Sequence, residues 1–345
     1  MKKFFSLIIL LVAVTAITAC SQESYAGTYT GYSWQGESQG VLFEDATQHI
    51  EATITLDKKG IIVAAEIDFK VLNNGVWQSR ADQNVTVSAN FSTSPSIADP
   101  RITGRQEGTS MFTIQTVDEM SLYVYAVDQN GTVAFGVVCP VTRYLFEMKF
   151  DSTFDFNTPM SDITIQNGTL VPTRLTSTGS FLRPATWESI ETKNIFNMHY
   201  WSHVLTSEGV FQGMDGSTTV KSLLESVGIT FVGNVPQAKA ASFGFFGIGG
   251  WKGNFDAIAD YLIGQDATTF TGIIDWTISK YQLGINEDNF FGIGDLATGA
   301  TRTVQDSIDT IAGATVRVSR EATAIQRALV AAGFLSEEDV IKGRF

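Results

Sequence analysis

The stretch His49–Phe69, HIEATITLDKKGIIVAAEIDF, decides how the first half of the chain is built. Ile50, Ala52, Ile54 and Leu56 alternate with Glu51, Thr53 and Thr55, the period of a strand with one buried face. The turn DKKG comes next, and then Val63, Ala65, Ile67 and Phe69 alternate against Glu66 and Asp68, so the whole reads as a half-buried β-hairpin. Outward from it, SLYVYAV and GTVAFGVVCPV, separated by the turn signal DQNG, continue the strand pattern. Residues from about Gly27 to Leu182 are therefore expected to be β-rich.

The second half changes period. DGSTTVKSLLESVG offers Ser217 or Thr218 as a helix cap, puts Val220, Leu223, Leu224 and Val227 on one face, and stops at Gly228. NFDAIADYLIG repeats that plan between Asn254 and Gly264, and SREATAIQRALVAAG repeats it between Ser319 and Gly333, with Ile325, Ala328, Leu329 and Ala332 turned inward. The expected fold class is α+β: a β-rich N-terminal half with antiparallel hairpins, and a C-terminal half with several short helices around a sheet. The stretch STGSFLRPATW marks the expected boundary, between a β-rich unit over 27–182 and an α+β unit over 183–345.

The first twenty residues, MKKFFSLIILLVAVTAITAC, place Lys2 and Lys3 before an apolar run from Phe4 to Val14, and small residues then lead into Cys20. That is the pattern of a signal peptide over 1–19, too short for a membrane span, with a polar tether over 20–26 after it. The ending Ile17-Thr18-Ala19-Cys20 resembles a bacterial lipobox. The resemblance implies cleavage before Cys20, acylation of that cysteine, and an extracytoplasmic lipoprotein held at the membrane by its lipid anchor. With Cys20 used in this way Cys139 has no disulfide partner and reads as a buried strand thiol. The formal net charge of −13 excludes nucleic acid as a partner, because an acidic chain repels the phosphate backbone.

A motif sits before the last helix. In DTIAGATVRVSREA, small residues bring Thr315 to the helix entrance, where an ordinary cap needs only one polar side chain. Together with GTYTG (Gly27–Gly31) ahead of the alternating hairpin, it resembles the extracytoplasmic FMN-binding domain family, whose closing signature is D-x-x-[ST]-G-A-T. The resemblance covers about residues 27–72 and 290–333, so the long middle is an insertion or another module. It implies that an FAD:protein FMN transferase attaches FMN to Thr315 through a phosphoester, with Asp309, Gly313 and Ala314 completing the motif. Gly313 and Ala314 add almost no bulk, which suits entry into a second enzyme's cleft. Arg317, Arg320 and the free N–H groups of the last helix suit the phosphate. Ala312 departs from the usual Ser or Thr, and VRVS replaces the commoner short Thr-Ser run.

GIGDLATGATRTVQD holds a second match without departure, Asp295, Thr298, Gly299, Ala300 and Thr301, so Thr301 rivals Thr315 as the attachment site. Thr315 is preferred because the last helix begins directly after it. The functional expectation is a membrane-anchored flavoprotein that shuttles electrons between redox partner proteins, more an electron carrier than an enzyme with its own substrate. A flavin-free ligand- or partner-binding lipoprotein is the alternative, and a flavin-dependent reductase a third reading.

Other patterns are weaker. GESQG places Ser38 in G-x-S-x-G, but the residues after it read as a strand and not as the helix that a nucleophile elbow needs. The only histidines are His49, His199 and His203. The last two are four apart in MHYWSH, without a catalytic Glu beside them, and core or interface roles are preferred over metal binding. The Gly- and aromatic-rich SFGFFGIGGWKGNF lacks phosphate-loop spacing and is read as a loop, either stacking on a flavin ring or tucking its aromatics inward.

Overall fold

The computed structural model describes residues 24–82, 84–100, 108–116, 122–139, 142–175, 186–198, 202–247, 249–274, 311 and 318–343. Strands β1 (Gly27–Trp34), β2 (Gln48–Leu56), β3 (Ile62–Asn73) and β4 (Val76–Ser79) form an antiparallel meander in that order. β5 (Thr86–Ala89) and β6 (Phe112–Gln115) pair as a ribbon. β7 (Leu122–Val127), β8 (Val133–Val138), β9 (Tyr144–Phe150) and β10 (Val171–Leu175) run antiparallel in a second sheet. The one-turn helix α1 (His203–Thr206), α2 (Val220–Ser226) and the short pair β11 (Phe231–Val232) and β12 (Val235–Pro236) come next. Then β13 (Lys239–Phe245) joins the second sheet beside β7, giving the order β10-β9-β8-β7-β13, before α3 (Gly250–Leu262) and α4 (Ser319–Ala331). Antiparallel strands dominate before residue 176 and the helices come after it, an α+β fold.

The β2–β3 hairpin forms where the alternation places it. Asp57 accepts hydrogen bonds from the N–H groups of Lys59 (2.8 Å) and Ile61 (2.9 Å), and Gly60 takes φ 91°, which lets the turn close without a Cβ clash. One expectation changes phase. Pairing skips from Thr55↔Ala64 to Leu56↔Ile62, and the residue gained on β3 exposes Val63 and buries Ile62 in its place. A bulge resets which residues face the core without breaking the strand.

Helix caps also shift. Thr219, not Ser217 or Thr218, caps α2 by accepting from Ser222 N at 3.1 Å, and Val220, Leu223 and Leu224 are fully buried as expected. α3 begins at Gly250, after Gly249 at φ 95°, so Asn254 lies inside the helix and donates to the Gly250 carbonyl at 2.7 Å. Ser319 is the first residue of α4 and Val318 holds the cap position. SFGFFGIGGWKGNF is not one continuous loop: Ser242–Phe245 end β13 and Gly250–Phe255 open α3, with Phe246, Trp251 and Phe255 buried.

Hydrophobic packing crosses the expected boundary at 182/183. The inner face of β2 and β3 meets α3 and α4 in one core, in which Ile50, Ile54 and Phe69 pack with Phe255, Ile258, Ile325 and Leu329. The second sheet is covered on both faces. Val133, Phe135 and Phe146 pack toward Trp187, Phe211 and Leu224, while Leu122, Val124 and Leu145 pack toward Met111 and Phe112. Cys139, the residue after β8, is buried as expected.

Candidate functional site

α4 is the element that brings the two ends of the chain together. Gly31 of β1 lies so close to it that a Cβ would overlap the Ala324 carbonyl and the Ala328 amide nitrogen, so only glycine fits. Ser33 Oγ donates to the Arg320 carbonyl at 2.8 Å. Further along the helix, the Arg327 guanidinium donates to the Tyr32 carbonyl (2.7 Å) and to Glu337 (2.8 Å and 2.9 Å), pairs with the buried Glu37, and lies 4.7 Å above the Trp34 ring. Burial works against the Arg327 charge, but Glu37 and Glu337 outweigh it and raise its pKa further.

The start of α4 is cationic and aromatic. The Arg320 guanidinium carbon lies 4.6 Å from the Phe69 ring centroid and 5.5 Å from that of Trp251, and Arg80 lies 4.7 Å and 5.4 Å from the same rings. Phe69 and Trp251 meet edge to face at 5.5 Å. Two guanidinium groups thus share one aromatic pair where α4 begins. Arg320 also reaches Glu321 Oε1 at 3.3 Å. Ile311 and Val318, both buried in the core of the first sheet, bracket the stretch 312–317.

Asp309, Gly313, Ala314, Thr315 and Arg317 lie outside the described residues, as do Asp295, Thr298, Gly299, Ala300 and Thr301 of the second match, and Cys20. Of the residues expected near the phosphate, Arg320 is placed at the helix start. Arg80 was not foreseen, since RADQ after β4 belongs to no motif and no periodic run.

Ser38 sits exposed in the single turn Glu37–Gln39, without the strand–turn–helix of a nucleophile elbow. His49 lies on the opposite face of the first sheet from α4, buried among Tyr32 (5.8 Å), Phe43 (5.3 Å) and Trp77 (4.3 Å). Burial lowers its pKa and the nearby Lys70 adds to this, so the ring is neutral at pH 7. His199 lies outside the described residues, and His203 opens α1. Among the described residues no group of three or more His, Cys, Asp or Glu is placed to hold a metal ion, and no helix is long and apolar enough to cross a membrane.

One further buried acid was not singled out from the sequence. Glu147, in the middle of β9, accepts from Ser110 Oγ, from Thr173 Oγ1 (2.5 Å) and from the Met111 N–H (2.8 Å). Burial raises its pKa, against the pull of those three donors. Its signal in the sequence is a lone acid inside the apolar run YLFEMKF. No protein-family model matches this chain, and comparison with curated proteins and with solved structures returned no significant match.

Proposed function

We propose that this chain carries FMN covalently on Thr315 and passes electrons between redox partner proteins outside the cytoplasm, held at the membrane by acylated Cys20. The observation that carries the reading is the start of α4. Two guanidinium groups, Arg80 and Arg320, sit there on Phe69 and Trp251, and Arg320 lies five residues after Thr315 in the sequence.

That chemistry fits FMN. Arg80 and Arg320 suit a phosphodiester, which keeps one negative charge after attachment, and the positive dipole end of a helix of this length favours the same charge. Phe69 and Trp251, both buried, are the rings on which the two guanidinium groups sit. When bound, the flavin supplies the electron transfer, and the protein sets its exposure and the charge around it. Further support comes from the two segments that carry the family resemblance. GTYTG contributes Gly31, and it is Gly31 that lets α4 seat against β1, so the segments at the two ends meet in one core. Ile311 and Val318, the described residues on either side of 312–317 in the sequence, are both buried in that core.

Attachment requires the threonine oxygen to bond to the FMN phosphorus of FAD. The pyrophosphate bond then breaks, AMP leaves, and the hydroxyl proton passes to a base on the transferase. The test is to co-express the full chain with an FAD:protein FMN transferase and look for flavin fluorescence after denaturing electrophoresis, comparing Thr315→Ala with Thr301→Ala. Fluorescence lost only in Thr315→Ala is the expected result. Loss only in Thr301→Ala moves the site, and no fluorescence beside a substrate that the transferase does modify overturns covalent flavinylation in favour of a flavin-free binding lipoprotein.

A further inference from the structure

One end of the first sheet gathers three segments beside the point where the chain comes in from Cys20. β1 starts at Gly27, opposite Leu56 at the end of β2, so the β2–β3 turn lies next to that entry. Gly60 of the turn is closely surrounded: a Cβ on it would meet Thr268 at 3.0 Å, Tyr25 at 3.5 Å and Phe334 at 3.6 Å, and the Tyr25 and Phe334 rings pack at 5.0 Å. The segment after α3 joins the same end. Gly264 donates its N–H to the Ile62 carbonyl (2.8 Å), Ile62 to that of Gln265 (2.9 Å), and Ala267 to that of Gly60 (2.9 Å).

Apolar side chains are exposed there. Val63 is 51% exposed, Ile263 49% and Tyr261 36%. Val63 is the residue that the bulge in β3 turns outward, and Ile263 directly precedes the Gly264 bond to β3. Lys58 and Lys59 are exposed in the turn. The acids of segments 57–63 and 260–268 are Asp57, Asp260 and Asp266. Asp57 accepts from the amides of its own turn, and Asp266 from the Thr268 N–H (3.0 Å) and Oγ1 (2.6 Å). In a chain that carries −13, the two lysines leave this end close to neutral.

We propose that this end of the first sheet rests on the membrane that holds Cys20, with Val63, Tyr261 and Ile263 at the headgroup boundary and Lys58 and Lys59 reaching lipid phosphates; the inference rests on the acylation of Cys20 proposed above. Chain length selects the surface. Cys20 precedes Tyr25 by five residues, which span at most about 18 Å when fully extended. β3 runs from Ile62 to Asn73, about 36 Å at strand spacing, so its far end lies beyond that reach when the near end is down. The side chains suit the place. Tyrosine sits with its ring in the apolar layer and its hydroxyl in the headgroups, and lysine lays its stem along apolar surface while its ammonium meets phosphate. An anionic surface attracts each lysine, and the anchor makes the contact intramolecular, so a small patch is enough to orient the protein.

The test places an environment-sensitive dye on Ile263→Cys of the full chain, expressed in bacteria with its leader and reconstituted in vesicles of phosphatidylcholine and phosphatidylglycerol that contain lipids spin-labelled just below the headgroup. Val76→Cys, 61% exposed and beyond the far end of β3, carries the same dye as control, and the unsubstituted chain, with Cys139 buried, is the labelling blank. The expected result is quenching of at least about twofold at Ile263 and none at Val76. Ile263 is half-exposed, so the variant is expected to fold; if circular dichroism shows that it does not, Val63→Cys decides by the same criterion. No quenching at Ile263 in a chain that floats with the vesicles overturns the proposal and leaves the anchor standing. Quenching at both sites overturns it too, since the sheet then lies along the bilayer. Quenching that Lys58→Glu with Lys59→Glu leaves unchanged overturns the part given to the lysines. A chain that does not float, and whose Cys20 bears no acyl group by mass spectrometry, overturns the anchor and this proposal with it.

Discussion

Replacing Gly31 by alanine adds a single methyl group, and its cost is set by the atoms that methyl meets. The new Cβ would overlap the Ala324 carbonyl oxygen and the Ala328 amide nitrogen and would lie 2.6 Å from the Arg327 carbonyl carbon. All three are backbone atoms of α4, so no side-chain rotation relieves the overlap, and the helix must lift from β1. Lifting it loosens Ile325, Ala328 and Leu329, all fully buried, and stretches the Ser33–Arg320 bond. Overpacking costs about 1–3 kcal/mol, and a rigid obstacle puts this case near the upper end. Alanine regains about 0.5–1 kcal/mol over glycine in a strand, which leaves a net loss of about 2 kcal/mol and a fall in midpoint temperature of roughly 4–8 °C. Urea and thermal unfolding followed by circular dichroism measure it. A loss below about 0.5 kcal/mol, or rescue by Ala328→Gly, which removes no backbone atom, would refute the reasoning.

Two other substitutions separate kinds of stabilisation. Arg327→Met leaves the Glu37 carboxylate with only Lys342, 3.9 Å away, and is expected to cost about 3 kcal/mol, read by chemical denaturation, with Arg327→Lys falling between it and wild type. Glu147→Gln tests a buried acid through pH. Because burial raises its pKa in the folded chain, the folded state holds a proton that the unfolded state releases above about pH 4.3. The stability contributed by Glu147 is therefore complete at lower pH and is lost as pH rises through the raised folded value. A glutamine keeps an acceptor for the Met111 N–H and can donate to Ser110 and Thr173, so the variant should gain on wild type as pH rises over that window; parallel stability–pH curves would count against this account.

Much of the fold was legible because it is written in local periods. The alternation of HIEATITL becomes β2 with its expected inward residues, Asp57 and Gly60 make the expected turn, and the apolar faces of α2 and α4 are buried where the spacing puts them. The features that escaped were decided by single residues or by distant ones. The bulge that buries Ile62 in place of Val63 changes no composition. Helix starts moved because Thr219 and Gly249 fit the entry geometry better than their neighbours, and capping discriminates by only about 1 kcal/mol.

The motif around Thr315 is a sequence reading that lies outside the described residues, and the contacts at the start of α4 were not legible, for a reason of chain separation. Closing a long loop costs little more than closing a moderate one, so nothing local in a sequence announces that Ser33 will bond to Arg320, 287 residues away. Gly31 is the one local trace of that contact, since a glycine in a strand is destabilising unless something must come close to it. Arg80 has no such trace. It comes after β4 in sequence and becomes relevant only because Phe69 and Trp251, from β3 and α3, bring its guanidinium to the same rings as that of Arg320. Residues from β3, α3 and the segment after β4 therefore meet at the start of α4. This makes Arg80 a sharp discriminator: if these rings and cations serve only to seat α4, Arg80→Gln should lower stability and leave flavin attachment on the folded chain unchanged. If they hold a phosphate beside Thr315, the same substitution should lower the yield of attached flavin in protein that unfolds at nearly the wild-type temperature.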